Sequence, residues 1–141
     1  MFQNNYTKFT KHEAGFERVG PHGFVAVKGR QDLFKKIYEM EVTEKDVWVV
    51  TYPRSGTTWT QEMVWNILNG LDFEKAKKTD IDDKFFFLDM DFLKSGSHGD
   101  TPGFVEKAKD AVGKQRLIKT HLPIGLLPPT LLSKCKVKTT F

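Results

Sequence analysis

At 141 residues, with 39% hydrophobic and 28% charged side chains, the chain has the make-up of one soluble globular domain around one core. Lys+Arg 22 against Asp+Glu 18 leaves a net charge of +4, which suits an anionic small ligand; the basic residues form no dense run, so a nucleic-acid footprint is not expected. One cysteine, Cys135, rules out an internal disulfide and points to a reducing compartment; with no apolar leader at Met1–Glu13 and no apolar run near the roughly 20 residues of a membrane helix, a cytoplasmic location follows by elimination.

Residues 1–22 read as an irregular, polar N-terminal arm, and a short strand is expected at Gly23–Val27. Residues 23–141 read as part of a single domain. Arg30–Glu39 carries Leu33, Phe34, Ile37 and Tyr38 at helical spacing and predicts a short amphipathic helix. Asp46–Tyr52 is β-branched and aromatic with a continuous apolar stretch, as expected of a strand buried on both faces. Pro53-Arg-Ser-Gly56 breaks it. Thr57–Asn69 then reads as a helix whose Trp59, Met63, Val64, Ile67 and Leu68 share one apolar face, with Gly70 suited to the position after the C-cap. Strand, glycine turn and helix in that order form the first unit of an α/β fold.

Leu71–Asp83 reads as charged loop or partial helix. Phe85–Phe92 is an apolar cluster, followed by a glycine-rich stretch at Ser95–Gly103. Phe104–Val112 predicts a helix, Arg116–Thr120 a second parallel strand ended by His121-Leu-Pro123, and Leu126–Ser133 a short helical piece. Lys134–Thr139 reads as the start of a third strand. A strand with no crossover partner leaves an exposed edge and face, so the physical pattern alone predicts an incomplete sheet.

Tyr52-Pro-Arg-Ser-Gly-Thr-Thr-Trp59 is the most informative stretch. A loop between a buried strand and a helix start aims backbone N–H groups at one point, where the helix dipole adds positive character. Gly56 allows a tight turn, Ser55, Thr57 and Thr58 add hydroxyls, and Arg54 adds a permanent charge whose fork fits a tetrahedral oxyanion. The spacing is neither that of a Walker A loop nor the dinucleotide G-x-G-x-x-G. Composition alone also admits an ordinary strand-to-helix turn with a threonine N-cap.

The same octapeptide, with Thr51 before it, resembles the 5′-phosphosulfate loop of the cytosolic sulfotransferase family. Lys119-Thr-His-Leu-Pro123 resembles that family's K-T-H-L-P segment, and the likeness runs from about Gly23 to Lys138. The resemblance implies a parallel α/β sheet related to nucleotide kinases. It implies 3′-phosphoadenosine 5′-phosphosulfate as donor, no metal, and transfer of a sulfuryl group to a hydroxyl or amine of a small acceptor such as a phenol or alcohol. Carried over by residue, it implies donor contacts from Arg54, Ser55, Gly56, Thr57 and Thr58. Trp59 would lie near the adenine, His121 would be the catalytic base, and Lys119 would sit beside the transferred group. Arg54 departs from the family's lysine at that place. Its fork can still neutralise a leaving phosphate, but arginine does not readily give up a proton.

Such a transfer asks mainly for positioning and cationic stabilisation, with a base that titrates near neutrality. Histidine is the side chain that does so. His121 falls just past a predicted strand end, where ligand crevices of open α/β sheets form. Phe24, Phe87 and Phe92, with Phe85 and Phe86, read either as an acceptor pocket or as core. His12, His22 and His98 read as solvated loop residues, and Asp80, Asp82 and Asp83 as a solvated acidic run.

Relatives carry further basic 3′-phosphate contacts and a dimerisation motif past the third strand, which this chain lacks. A truncated product is therefore expected, with weak donor binding, little turnover, and a homodimer only in a full-length form. The alternative from a different class is a non-catalytic chain that keeps the anion loop alone.

Overall fold

The structure, a computed structural model, describes residues 15–93 and 103–140; His12, His98 and most of the glycine-rich stretch at Ser95–Gly103 lie outside the described residues. Strand β1 (Phe16–Val19) pairs antiparallel with β2 (Phe24–Val27), joined through Gly20 and Gly23 at φ 71° and 63°. Within the reading of residues 1–22 as an irregular arm, Phe16–Val19 is corrected to a strand. The boundary at residue 22 falls inside a hairpin turn, whose two glycines supply the left-handed conformation such turns demand. At Gly20 there is a second constraint, because a side chain would collide with Leu126.

Helix α1 (Gln31–Tyr38) buries Phe34 and Ile37, as their spacing predicts. Strand β3 (Val47–Thr51) then runs through the centre of a parallel sheet of order β4-β5-β3-β6, where β4 is Phe86–Phe87, β5 is Leu117–Thr120 and β6 is Lys136–Thr140. Helices α2 (Thr57–Leu68), α3 (Phe73–Lys78) and α4 (Ile81–Lys84) follow β3. Helices α5 (Met90–Leu93) and α6 (Phe104–Asp110) separate β4 from β5, and α7 (Leu131–Lys134) precedes β6. The short β4 adds to the expected elements, and α3 and α4 realise the partly helical alternative read for Leu71–Asp83. The third strand begins at Lys136, because Thr130–Lys134 is taken up by α7.

Alternation along β3 explains why both faces of the sheet are covered. Trp48 and Val50 join the larger core with Ile37, Leu88, Val105, Ile118 and Leu131. Val49, one residue out of phase, joins Trp65, Phe85 and Leu117 in a smaller core under α2 and α3. Full burial of a side chain of this size stabilises by about 1.5–3 kcal/mol relative to exposure. Helix α2 ends as its sequence predicts: Gly70 sits at φ 68° and the Leu71 N–H reaches back to the Asn66 carbonyl at 2.8 Å, closing a Schellman turn.

A buried ion pair fixes the bottom of the sheet. Asp46 and Arg116 are both fully buried, and Arg116 Nε donates to Asp46 Oδ1 at 2.7 Å while its NH2 group donates to Oδ2. Arg116 also donates to the carbonyls of Ala108 at 2.8 Å and Glu41 at 2.7 Å, and Asp46 Oδ2 accepts the Thr43 N–H at 2.7 Å. The pair ties the starts of β3 and β5 together. The opposite ends, where the loops emerge, are thereby held at a common level.

Candidate functional site

The site is built where β3 and β5, neighbours in the sheet, reach their C-terminal ends. Thr51 closes β3 and Thr57 opens α2; they are 4% and 7% exposed, so their hydroxyls are out of bulk water. Between them the chain turns through two left-handed residues, Arg54 at φ 67° and Gly56 at φ 89°. Glycine adopts this freely, while for arginine the conformation costs about 1–2 kcal/mol. Ser55 braces the turn: its Oγ donates to the Tyr52 carbonyl at 2.6 Å and its N–H to the same oxygen at 3.3 Å.

The N-terminus of α2 is left open. Gly56 is its N-cap and no side chain caps it. The threonine-capped turn that composition admits is therefore absent. The Thr57 hydroxyl turns away from the capping position to meet Thr51 Oγ1 at 2.6 Å. First-turn N–H groups have no intrahelical acceptor, so with no cap they face whatever occupies the loop. Around this opening Tyr52, Arg54, Gly56, Thr58 and Trp59 are exposed, with Trp59 at 76%; Ser55 is half-buried.

His121 stands next to the same strand end. Its Nδ1 lies 2.9 Å from the Thr51 carbonyl and 3.3 Å from the Thr51 hydroxyl. A carbonyl can only accept, so Nδ1 carries the hydrogen. In the neutral ring Nε2 is then left with its lone pair. The backbone is held as well. The His121 N–H donates to the Asp89 carboxylate, at 3.0 Å to Oδ1 and 3.2 Å to Oδ2.

Lys119, the third residue of β5, is half-buried, with Nζ 3.7 Å from the centre of the Phe87 ring. The same ring meets His121 edge-on, with centroids 5.5 Å apart and planes at 88°. Strand β5 ends at Thr120, so His121 lies one residue past it; Phe87 is the surface that both side chains share. Burial lowers the Lys119 pKa, and the Asp89 and Asp82 carboxylates partly oppose that shift.

The other candidates lie further out. Phe24 is half-buried and lines a small apolar cleft with His22, Pro123 and Leu126, the segment that follows His121. Phe92 packs on Phe34 of α1, ring centres 4.5 Å apart, against the larger core. Phe85 is buried in the smaller core. Asp80, Asp82 and Asp83 are exposed around the start of α4, as a solvated acidic run would be. Asp89 escaped the sequence reading. It sits 32 positions before its partner, and its one local sign is a carboxylate directly after an apolar run.

A parallel sheet covered on both faces, with an uncapped strand–loop–helix unit beside a histidine at the ends of adjacent strands, defines an α/β protein with its site at the carboxyl edge of the sheet. The comparisons narrow that class. Residues 44–139 match the family model described as the sulfotransferase domain. Sulfotransferase 1A1 of Bos taurus is 36% identical over 119 residues, covering 84% of this chain and 38% of that protein. Sulfotransferase 1B1 of Mus musculus is 34% identical over 120 residues, covering 82% and 37%. The crystal structure of retinol dehydratase in complex with retinol and PAP superposes with a TM-score of 0.79 at 28% identity, covering 98% of this chain and 49% of that one. Retinol dehydratase with androsterone and PAP gives 0.77 at 30%, covering 88% and 43%. The chain belongs to the sulfotransferase family. It spans under two-fifths of the length of these curated relatives.

Proposed function

We propose that this chain carries the donor loop and catalytic base of a sulfuryl transfer site. The donor is 3′-phosphoadenosine 5′-phosphosulfate and the acceptor a small phenol, alcohol or amine. The observation that carries the reading is the 2.9 Å contact of His121 Nδ1 with the Thr51 carbonyl. It holds the hydrogen on Nδ1 and so leaves the Nε2 lone pair available beside the strand end that feeds the uncapped loop.

In this reading the N–H groups of Gly56, Thr57 and Thr58 and the hydroxyls of Thr57 and Thr58 hold the 5′-phosphate, with Ser55 bracing the turn. Arg54, exposed on the loop, neutralises the phosphate as it leaves. Trp59 offers an open face on which adenine stacks. The acceptor hydroxyl gives its proton to His121 Nε2 as its oxygen bonds to sulfur and the S–O bond to the phosphate breaks. Lys119 stabilises the charge on the moving group. Phe87 and Phe24 line the acceptor's approach, with Phe92 behind them in the core. That PAP and apolar alcohols such as retinol occupy the related structures supports both halves of the reading. A cytoplasmic setting, where such a donor and a reduced Cys135 coexist, belongs to the same proposal, as does a single domain that takes in the β1–β2 hairpin.

A second reading follows from the exposure of Tyr52, Arg54 and Trp59. With so open a donor face, the chain binds the nucleotide weakly and turns over little. A single-turnover assay with labelled donor, chain in excess and a panel of phenols and alcohols tests the first reading. His121→Asn is expected to reduce transfer by about 10²–10⁴-fold with donor binding retained. Transfer unchanged in that variant would refute the base assignment. PAP binding by calorimetry with no transfer in any variant would select the second reading.

A further inference from the structure

Thr51 touches both halves of the site, and the hydrogen bonds around it admit one direction. The Nδ1–H of His121 is fixed by the Thr51 carbonyl at 2.9 Å, so the Thr51 hydroxyl, 3.3 Å from Nδ1, can accept from that nitrogen but cannot donate to it. Its own hydrogen then goes to Thr57 Oγ1 at 2.6 Å. Thr57 is left to donate its hydroxyl hydrogen elsewhere, from the first residue of α2 at the open end of the loop. The reverse direction would turn the Thr51 hydrogen toward a nitrogen that already carries one, inside a pocket where both threonines are more than nine-tenths buried. The three groups therefore form one polarised chain: imidazole N–H to Thr51, Thr51 to Thr57, Thr57 to the loop.

We propose that Thr51 is a coupling residue, through which an anion seated in the loop and a His121 ring with a free Nε2 stabilise one another. This rests on the loop reading above and adds to it. An anion accepts and cannot donate, so it strengthens the outward direction that the Nδ1–H already imposes on the chain. That direction is the one that keeps the hydrogen on Nδ1 and the lone pair on Nε2. Coupling between two sites is reciprocal, so the ring in turn favours an acceptor at Thr57. Proton uptake at Nε2 leaves the Nδ1–H in place, so the chain does not reverse during turnover. Thr51 makes no contact with substrate in this account; it acts through its two neighbours.

Inorganic phosphate titrated into the isotope-labelled chain, read by NMR, tests the proposal. In the wild type the backbone amides of Ser55–Thr58 and the His121 Nδ1–H resonance are expected to move together, with one dissociation constant. Thr51→Val keeps the carbonyl and the shape but removes the hydroxyl. It is expected to weaken phosphate binding about threefold to tenfold and to silence the ring response, while the loop amides still move. Thr51→Ser is expected to restore both. A ring that responds in Thr51→Val as in the wild type overturns the coupling and leaves the loop reading intact. So does a wild-type ring that stays silent while the amides respond, a result that needs no variant to fold. Loop amides indifferent to phosphate would sink the coupling and the loop reading together.

Discussion

Burial at single residues sets two titrations that can be followed directly. Cys135 is half-buried, and its Sγ contacts the Leu131 carbonyl at 3.1 Å. Burial, helped by the nearby Asp46 carboxylate, pushes its thiol from the ordinary 9.0 up to about 11. Between those values the unfolded chain gives up a proton that the folded chain keeps. Folding stability is therefore expected to fall as pH rises from about 9 to about 11. Urea midpoints across that range should decline in the wild type and decline less in Cys135→Ala; equal slopes would contradict the assignment. Lys119 has the opposite sense, since burial lowers its pKa. Its charge costs stability at neutral pH, and the cost fades as pH rises through the lowered value toward 10.5. Lys119→Met is accordingly expected to be neutral to stabilising in thermal melts while transfer activity falls; a clear destabilisation would contradict the burial argument.

At the scale of elements, the joint between β4 and α6 depends on one carboxylate. Asp91 accepts the Phe104 N–H at 3.0 Å and the Val105 N–H at 2.8 Å, satisfying two first-turn amides of α6. A Cβ at Gly103 would press on that carboxylate, so a side chain fits there only if Asp91 shifts. Asp91→Ala is expected to cost about 0.5–2 kcal/mol in urea unfolding. Gly103→Ala should cost about 1–3 kcal/mol by displacing the carboxylate from the amides it serves. A wild-type midpoint in both variants would show that the cap contributes nothing. These contacts also mark where local sequence signals stop. Strand β3 and the glycine ending of helix α2 were legible because each rests on neighbours within a turn or a strand: the apolar run of Val47–Val50 and Gly70. The buried face of α2 was not, since Trp59, Met63, Ile67 and Leu68 are exposed while Thr57, Gln61 and Trp65 turn inward. Nor was the hairpin strand Phe16–Val19. Its side chains are exposed or half-buried and alternate weakly, so only pairing with β2 defines it. Strand β4 is a pair of residues, too short to carry a period.

Across the whole molecule, the level of the site relative to the sheet depends on Asp46 and Arg116, which stand 70 positions apart and meet with no exposed surface. Charge pairs of this kind leave no pattern in a single sequence, because neither residue's neighbours announce a burial that only the folded sheet creates. The Asp89 carboxylate was likewise hidden, since the His121 backbone N–H meets it from 32 positions away. By contrast, the loop and His121 were legible because their chemistry is concentrated in two short motifs that adjacent parallel strands bring to one edge. Arg116→Met leaves Asp46 buried without its partner and is expected to destabilise by about 3–5 kcal/mol. The double variant Asp46→Leu with Arg116→Met should cost much less than the sum of the two single changes. Additive costs in denaturant unfolding would show that the pair does not act as a unit.

In the proposed site the uncapped loop and the His121 ring address one ligand. A crystal structure of the chain soaked with PAP tests this most directly. The 5′-phosphate is expected on the amides of Gly56–Thr58, with Nε2 of His121 facing the side from which a sulfuryl group would depart. A phosphate bound away from those amides, or an imidazole rotated to place Nε2 on the Thr51 carbonyl, would contradict it.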